Sequence, residues 1–359
     1  MKIGMPLAYA GDFMTTVEGL RDFEDAGVDI VLLPEAYGFD SVSQLGYLAA
    51  KTSRIQLCSS ILNIYTRSPT LIAMTAAGLD YVSGGRFILG LGASGPQVVE
   101  GFHGVPYGRP LARTREVIEI CRATWRRERI DFHGDHFDIP LSADLGTGLG
   151  KPLKLINHPV RDRVPTMLAA LGPKNVELAA ELFEAWEPIF YFPERAEAAF
   201  GQALAAGTAM RPSGLPPLEV TADTRLLVSD NPDEIAAAID DARQHLALYI
   251  GGMGAKGRNF YHQLAGRFGF SDEADHIQEH YLAGRKAEAA ASVPDELVRG
   301  TTLIGDRDWV AHRVAAFAAA GVTTMNALPL AATHERRLGD VSVLVDLASG
   351  HPTTTAPTP

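Results

Sequence analysis

At 359 residues, with 46% hydrophobic and 21% charged residues, the chain is long enough for one large domain or two ordinary ones and has the composition of a globular protein with a sizeable core. Lys and Arg total 32 against 43 Asp and Glu, a formal charge of −11, which argues against nucleic-acid binding because phosphate contacts need clustered cations. Two cysteines, Cys58 and Cys121, exclude a disulfide framework, and each lies in an apolar neighbourhood that suits a buried thiol.

In chain order, short apolar runs alternate with longer helical patterns. Met1-Lys-Ile-Gly-Met-Pro6 reads as the start of a strand and not as a signal peptide. No apolar stretch approaches the roughly 20 residues of a membrane span. A reducing, cytoplasmic setting with no membrane partner is expected. The strand candidates are Lys2–Leu7, Ile30–Pro34, Ile55–Leu62, Arg86–Gly92, Val164–Ala169, Trp186–Phe190, Thr224–Val228 and Val322–Leu328. Their continuous apolar character is that of parallel strands buried on both faces.

Between them, Thr15-Thr-Val-Glu18 reads as a capping box and Gly27 as a left-handed helix stop. Ser68-Pro69 reads as a cap followed by a first-turn proline, and Pro110–Arg127 as an amphipathic helix. The junctions Ala26-Gly-Val28 and Ala320-Gly-Val322 echo each other, as a βα repeat would. Eight strands alternating with helices predict a (β/α)8 TIM barrel over an open sheet. Such a barrel needs about 250 residues, leaving roughly 100 for insertions. Residues 130–155, rich in Gly, Asp and His, read as a long loop over the barrel mouth, and 251–299 as a mostly helical excursion. Residues 1–350 are therefore expected to form a single domain, followed by a disordered Thr/Pro tail over 351–359.

Catalytic groups in this architecture lie where strands end. That rule selects Glu35 and Tyr37 after strand two, and Ser59, Ser60, Ile61, Asn63 and Tyr65 after strand three. It adds Gly92, Ala93, Ser94 and Gly95 after strand four, and Ala170, Gly172, Pro173 and Lys174 after strand five. Glycines 90, 92 and 95 either let a flat ring or a phosphate approach the backbone or serve tight turns, and their spacing leaves both open. Pro173 and Lys174 suit phosphate capture at a helix start, or an ordinary cap. Gly251-Gly-Met-Gly-Ala-Lys-Gly-Arg-Asn-Phe260 reads as an anion-gripping loop, with a solvated hinge as the alternative. No zinc signature, nucleophile elbow or P-loop occurs, and His133 and His136 among Asp131, Asp135 and Asp138 read as solvated surface, so no metal is expected.

Five motifs carry a resemblance: Leu33-Pro-Glu-Ala-Tyr37, Tyr65-Thr-Arg-Ser-Pro69, the run from Ser83 to Gln97, Gly101-Phe-His-Gly-Val-Pro106 and Gly251-Gly-Met-Gly254. Over nearly its whole length the chain resembles the luciferase-like flavin and deazaflavin oxidoreductases, above all their coenzyme F420-dependent actinobacterial branch. The resemblance implies the same barrel, usually as a homodimer, with an isoalloxazine-like ring against the ends of strands two, three and four. It implies a non-proline cis peptide near Ser60–Ile61 behind that ring, and a coenzyme phosphodiester at Gly172–Lys174 and Gly92–Gly95. The implied reaction is hydride transfer between deazaflavin C5 and a small imine, enone, aldehyde or alcohol, more often as a reductase. Glu35, Tyr37, Tyr65 and His103 are its candidate proton donors. Sugar-phosphate dehydrogenases of the family carry a histidine where this chain has Ala36 and a glutamate where it has Gly95, so that substrate class is not expected. The alternatives are an FMN-dependent monooxygenase on the same barrel, a non-catalytic coenzyme binder, and a metal-dependent hydrolase.

Overall fold

A computed structural model describes residues 1–7 and 12–350; the 351–359 tail lies outside the described residues. The strands are β1 (Lys2–Pro6), β2 (Ile30–Leu33), β3 (Gln56–Ser59), β4 (Leu62–Asn63), β5 (Phe87–Gly92), β6 (Phe132–His133), β7 (Asp138–Ile139), β8 (Thr166–Ala169), β9 (Ala185–Glu187), β10 (Glu219–Val228), β11 (Leu303–Gly305) and β12 (Thr324–Pro329). The pairing order β11-β10-β12-β1-β2-β3-β5-β8-β9 returns on itself because β9 also pairs β10. Eight of these strands close the cycle, with β4 and β11 as additions, which is the expected (β/α)8 barrel.

Each sequence candidate corresponds to a strand, with differences that have physical causes. Trp186–Phe190 shortens to Ala185–Glu187, since Pro188 has no N–H to pair and Phe190 has a φ of 57°. Ile55–Leu62 divides into β3 and β4 at Ser60–Ile61, whose peptide bond is cis. Thr224–Val228 is only the second half of β10, because Glu219–Asp223 alternates polar and apolar residues. Leu303–Gly305 is too short to carry a periodic signal, and it pairs Leu226–Val228.

Register explains that alternation. Ile3, Met325 and Ala222 lie level across β1, β12 and β10, as do Lys2, Thr324 and Thr221 on the other face. The first set is apolar and buried. Glu219, Thr221, Asp223 and Arg225 lie on the opposite face of β10, where Arg225 reaches Asp241 of helix Pro232–Gly252.

The packing divides into two compact units interleaved in sequence. One comprises residues 1–6, 19–30 and 170–359; the other comprises 7–18 and 31–169. In the first, Gly27 and Gly321 end helices at φ of 104° and 86°, as both junctions predict. In the second, Ser68 caps helix Pro69–Val82 through the Leu71 N–H. The expected capping box at Thr15 gives way to Asp12, whose carboxylate accepts from the N–H groups of Met14 and Thr15 and from the Thr15 hydroxyl, so that the helix begins at Phe13.

Residues 130–155 are not a bare loop. They hold the β6–β7 hairpin, because the Glu116 carboxylate accepts the N–H groups of Asp135, His136 and Phe137 at 2.8, 3.0 and 3.1 Å. The segment after residue 252 is helical as expected, but Gly251 and Gly252 end helix Pro232–Gly252 instead of opening a grip. A Cβ at either would come within 2.4 Å of the Tyr281 side chain, so these glycines serve helix packing. Cys58 and Cys121 are buried free thiols, as expected.

Gly90 is the tightest point of the second unit: a Cβ there would lie 1.8 Å from the Ser59 carbonyl oxygen. Gly90→Ala should cost about 3 kcal/mol or more of stability, since the obstacle is backbone that cannot repack. Gly46→Ala, on a helix with nothing within 4 Å of the new methyl, should gain up to about 1 kcal/mol. Urea denaturation of both variants checks the pair; a Gly90→Ala protein as stable as the parent would refute the packing assignment.

Candidate functional site

Glu35 follows β2, and its carboxylate is fully engaged. Arg67 grips it in a fork at 2.5 and 2.9 Å, while the Ser41 N–H and hydroxyl donate at 2.9 and 3.2 Å. Burial alone would favour the neutral acid, but the Arg67 and Ser41 hydrogen bonds outweigh it and hold the carboxyl below its ordinary range. Glu35 is therefore an ionised acceptor in this arrangement and not a poised acid. Tyr37, two residues on, is mostly exposed and joins a surface group in which its ring meets Phe102 at 6.2 Å and His103 meets Phe102 edge-on at 5.1 Å. The imidazole of His103 makes no hydrogen bond among the described residues.

The ends of β3 and β5 form one surface. The Ser59 hydroxyl lies 3.0 Å from both the N–H and the carbonyl of Gly90, and the Ile61 side chain fills the space that a Cβ at Gly92 would need. The first two glycines of the turn are thus required by the chain's own packing. Beyond them, Gly92, Ala93, Ser94 and Gly95 present a wall with almost no side chain, and Ser94 adopts a φ of 55°. Asn63 turns its carbonyl oxygen onto the Tyr65 N–H at 2.9 Å, and the Tyr65 hydroxyl donates to the Gly108 carbonyl at 3.0 Å.

Tyr65 stacks on Tyr107, with ring centres 5.1 Å apart, and the Arg113 guanidinium lies 4.7 Å over the Tyr65 ring. Burial keeps the Tyr65 phenol protonated beyond its ordinary range, against the opposing pull of Arg113. Tyr107 donates to the Ser94 carbonyl at 3.3 Å, and burial, with Tyr65 beside it, pushes its phenol up to about 12. The candidates of this unit accordingly form three groups: Glu35 with Arg67 and Ser41, Tyr65 with the turn after β5, and Tyr37 and His103 with Phe102.

β8 is the last strand of this unit and ends at Ala169; in the other unit, which resumes at Ala170, helix Pro173–Leu182 begins with Gly172 as its cap. Gly172 offers no side chain to the first turn, Pro173 has no N–H, and the Asn175 and Val176 N–H groups donate to the Gly172 carbonyl at 2.9 and 3.0 Å, so of the first-turn N–H groups only that of Lys174 lies outside these bonds. Lys174 is mostly exposed and pairs with Glu177 at 2.6 Å. Arg267, from helix Phe260–Arg267, donates to the Leu171 carbonyl at 2.7 Å, which sets a second cation beside this helix start. Ala170 is tied to the neighbouring strand, its carbonyl accepting from the Trp186 indole at 2.8 Å.

Arg67, Tyr107, Arg113 and Arg267 were not foreseen from the strand-end rule, because they lie on loops and helices that return to the strand ends. Only Arg67 had a signal, inside the Thr66-Arg-Ser-Pro69 motif. His133 lies between Asp131 and Asp138 on the surface, and no group of three metal-ligating side chains exists among the described residues. No helix of the described residues is long and apolar enough to cross a membrane.

The chain matches the family model for luciferase-like monooxygenases over residues 2–324 and belongs to that oxidoreductase family. Among its relatives is a protein of Mycobacterium tuberculosis, 43% identical over 90% of this chain and 94% of its own, provisionally described as a coenzyme F420-dependent oxidoreductase. A 5,10-methylenetetrahydromethanopterin reductase of Archaeoglobus fulgidus is 28% identical over 84% of this chain and 85% of its own. Among solved structures, the coenzyme F420-dependent tetrahydromethanopterin reductase of Methanopyrus kandleri superposes with a TM-score of 0.78 at 19% identity, covering 98% of this chain and 99% of that one, which bears out the fold.

Glu35→Gln should lower stability at pH 7 by about 2 kcal/mol, because it leaves Arg67 half-buried without its counter-charge. The folded carboxyl titrates below the unfolded one, so its contribution is complete above the unfolded value and disappears as pH falls through the folded value. Denaturation of wild type and variant between pH 7 and pH 3 checks the sign: a gap that widens toward acid would refute it.

Proposed function

We propose that this chain is a coenzyme F420-dependent reductase of small organic molecules bearing an imine, enone or aldehyde group. The observation that carries this reading is the 43% identity, across 90% of the chain, to a relative described as F420-dependent. The geometry supports it. The residues from Ser59 to Asn63 and from Gly92 to Gly95 are proposed to contact a planar ring, since they offer backbone and little else. Gly172, Pro173 and Lys174, with Arg267 beside Leu171, are proposed to receive an anionic phosphodiester at a helix start.

Reduced coenzyme F420 supplies a hydride from C5 of its deazaflavin ring. The protein's part is orientation, exclusion of water and custody of a proton. Glu35, held ionised, fixes Arg67 and the start of the helix at Ser41. Tyr65 keeps its phenolic proton on the Gly108 carbonyl and stiffens the strand-four turn through Tyr107. Of the four candidates, Glu35, Tyr37, Tyr65 and His103, His103 is then the proposed proton carrier, because its ring nitrogens are not committed to other described residues. The two buried free thiols agree with a reducing, cytoplasmic setting.

Titrating the apoprotein with F420 and with FMN separates the leading reading from its monooxygenase alternative. F420 should bind and FMN should not, and the reverse would overturn the proposal. Lys174→Glu should weaken F420 about tenfold, while His103→Ala should leave that affinity alone and slow single-turnover oxidation of the reduced coenzyme about a hundredfold. Unchanged affinity in the first variant would refute the phosphate role of Lys174, and an unchanged rate in the second the proton role of His103.

A homodimer is part of the same proposal. Leu71, Met74, Tyr81 and Val82 are exposed along helix Pro69–Val82, a row whose cover a second copy would supply. Met74→Asp should convert a dimer to monomer in sedimentation velocity, and a wild type that sediments as a monomer at micromolar concentration would end this part of the reading.

A further inference from the structure

Helix Pro110–Trp125 opens with a cation that has no counter-ion. Arg113, at the end of its first turn, holds its guanidinium over two aromatic rings, 4.7 Å from the centre of Tyr65 and 4.9 Å from that of Phe137. Its Nε is buried with no acceptor, and the side chain makes neither a hydrogen bond nor an ion pair among the described residues. Other arginines of this unit are matched: Arg67 is held by Glu35, and Arg109 by Asp135. The acids on the same elements are committed as well. Glu116, one turn along the helix, accepts from the hairpin N–H groups, and Glu100 accepts from the Tyr107 N–H at 3.0 Å.

The place of the guanidinium is built by its neighbours, and every part of it lies in the second unit. Tyr65 is fixed by the bond from its hydroxyl to Gly108 and by the Asn63 turn, and it stacks on Tyr107. Phe137 belongs to the β6–β7 hairpin loop, which the buried Glu116 carboxylate ties to the same helix as Arg113. A Cβ at Gly134 would come within 2.6 Å of that carboxylate, so the close approach of the hairpin depends on a glycine. Ring faces attract the charge of a guanidinium, but they offer no lone pair to its N–H fork. What Arg113 lacks is therefore an acceptor in the plane of the fork, together with a negative charge.

We propose that Arg113 is the binding residue of an oxyanion site and takes a carboxylate or phosphate group of a ligand. Three features select this chemistry. The edge of a guanidinium matches two oxygens of one oxyanion, which a neutral carbonyl cannot supply. A helical side chain leans toward the helix start, and the aligned peptide dipoles of this 16-residue helix add positive potential there. A half-buried cation without a partner has lost hydration that an anion restores with both charge and lone pairs. Through Tyr65 and Tyr107 the guanidinium is two ring contacts from the Ser94 carbonyl. The oxyanion thus lies beside the turn after β5 and not on it, and belongs to a part of the ligand away from any ring packed on that turn. Its source is either the coenzyme or a second, acidic ligand.

The test uses the full chain with arginine side chains labelled by nitrogen-15. The Arg113 Nε–H signal is the one absent from Arg113→Met or, should that variant not fold, from Arg113→Lys. Benzoate should move that signal saturably at low ionic strength, whereas benzamide, of similar shape without the charge, should not. Arg113→Met should weaken benzoate at least about tenfold in calorimetry, and Arg113→Lys, which keeps the charge without the fork, by less than that. An Arg113 signal unmoved by benzoate, benzamide binding as tightly as benzoate, or Arg113→Met binding benzoate as tightly as wild type would each overturn the site. F420 is then added to the same samples. Loss of the benzoate shift at F420 saturation assigns the oxyanion to the coenzyme, and its persistence assigns it to a second ligand. A chain that binds benzoate through Arg113 but does not bind F420 overturns the reductase reading and leaves the site standing; one that binds F420 with Arg113 blind to benzoate does the reverse.

Discussion

The contact on which the second unit depends is the one between Ser59 and Gly90. The serine hydroxyl reaches both backbone polar groups of the glycine at 3.0 Å, a distance available only because no Cβ separates the two strands. From that contact the neighbouring features follow in turn. Ile61 drops into the space above Gly92, β4 pairs with β5 through Leu62 and Asn63, and Asn63 caps the turn that leads into Tyr65. Tyr65 then holds Gly108, and through Tyr107 the carbonyl of Ser94. A smooth backbone wall at the barrel end is thus a consequence of close strand packing first, and a surface for a flat ligand second.

The barrel's two faces obey different rules. The face of β1, β10 and β12 that carries Ile3, Ala222 and Met325 is apolar and buried, and there the free energy of folding accumulates. The opposite face holds Lys2, Glu219, Asp223, Asn326 and Arg225, which must find partners or lose their hydration without return. Asp223 meets this demand by accepting from the Asn326 amide, with burial raising its carboxyl, Glu219 by pairing with Lys2, and Arg225 by leaning on Asp241.

That division also explains what was legible in the sequence. Apolar runs such as Ile30–Leu33 and Phe87–Gly92 showed their strands plainly, and Gly27 and Gly321 marked the helix ends. The first half of β10 was hidden because one of its faces carries Glu219, Thr221 and Asp223, so the run lacks the continuous apolarity by which its neighbours stand out. The three residues of β11 fall below the length at which any period can be recognised. Glu35 and Tyr65 were legible as strand-end positions, but their partners were not: Arg67 is 32 residues from Glu35, and Gly108 is 43 from Tyr65. A pattern read along the chain finds elements, whereas the pairing of side chains across elements depends on the fold already formed.

The same reasoning separates two kinds of glycine that look alike in sequence. Gly90 and Gly92 are forced by neighbours that would strike a Cβ, as are Gly251 and Gly252 against Tyr281, so none of the four needs a ligand to account for it. Gly95 and Gly172 meet nothing of that kind, with only the far end of the Gln97 side chain near the first and open space at the second. Packing therefore accounts for the glycines inside the strand and the helix, and leaves those that follow a strand end without a structural reason. Those two are caps with no side-chain hydrogen bond, each before a first-turn proline at a helix start beyond β5 or β8. Of the three glycines around the turn after β5, Gly90 and Gly92 are thus explained by packing, and Gly95 is not.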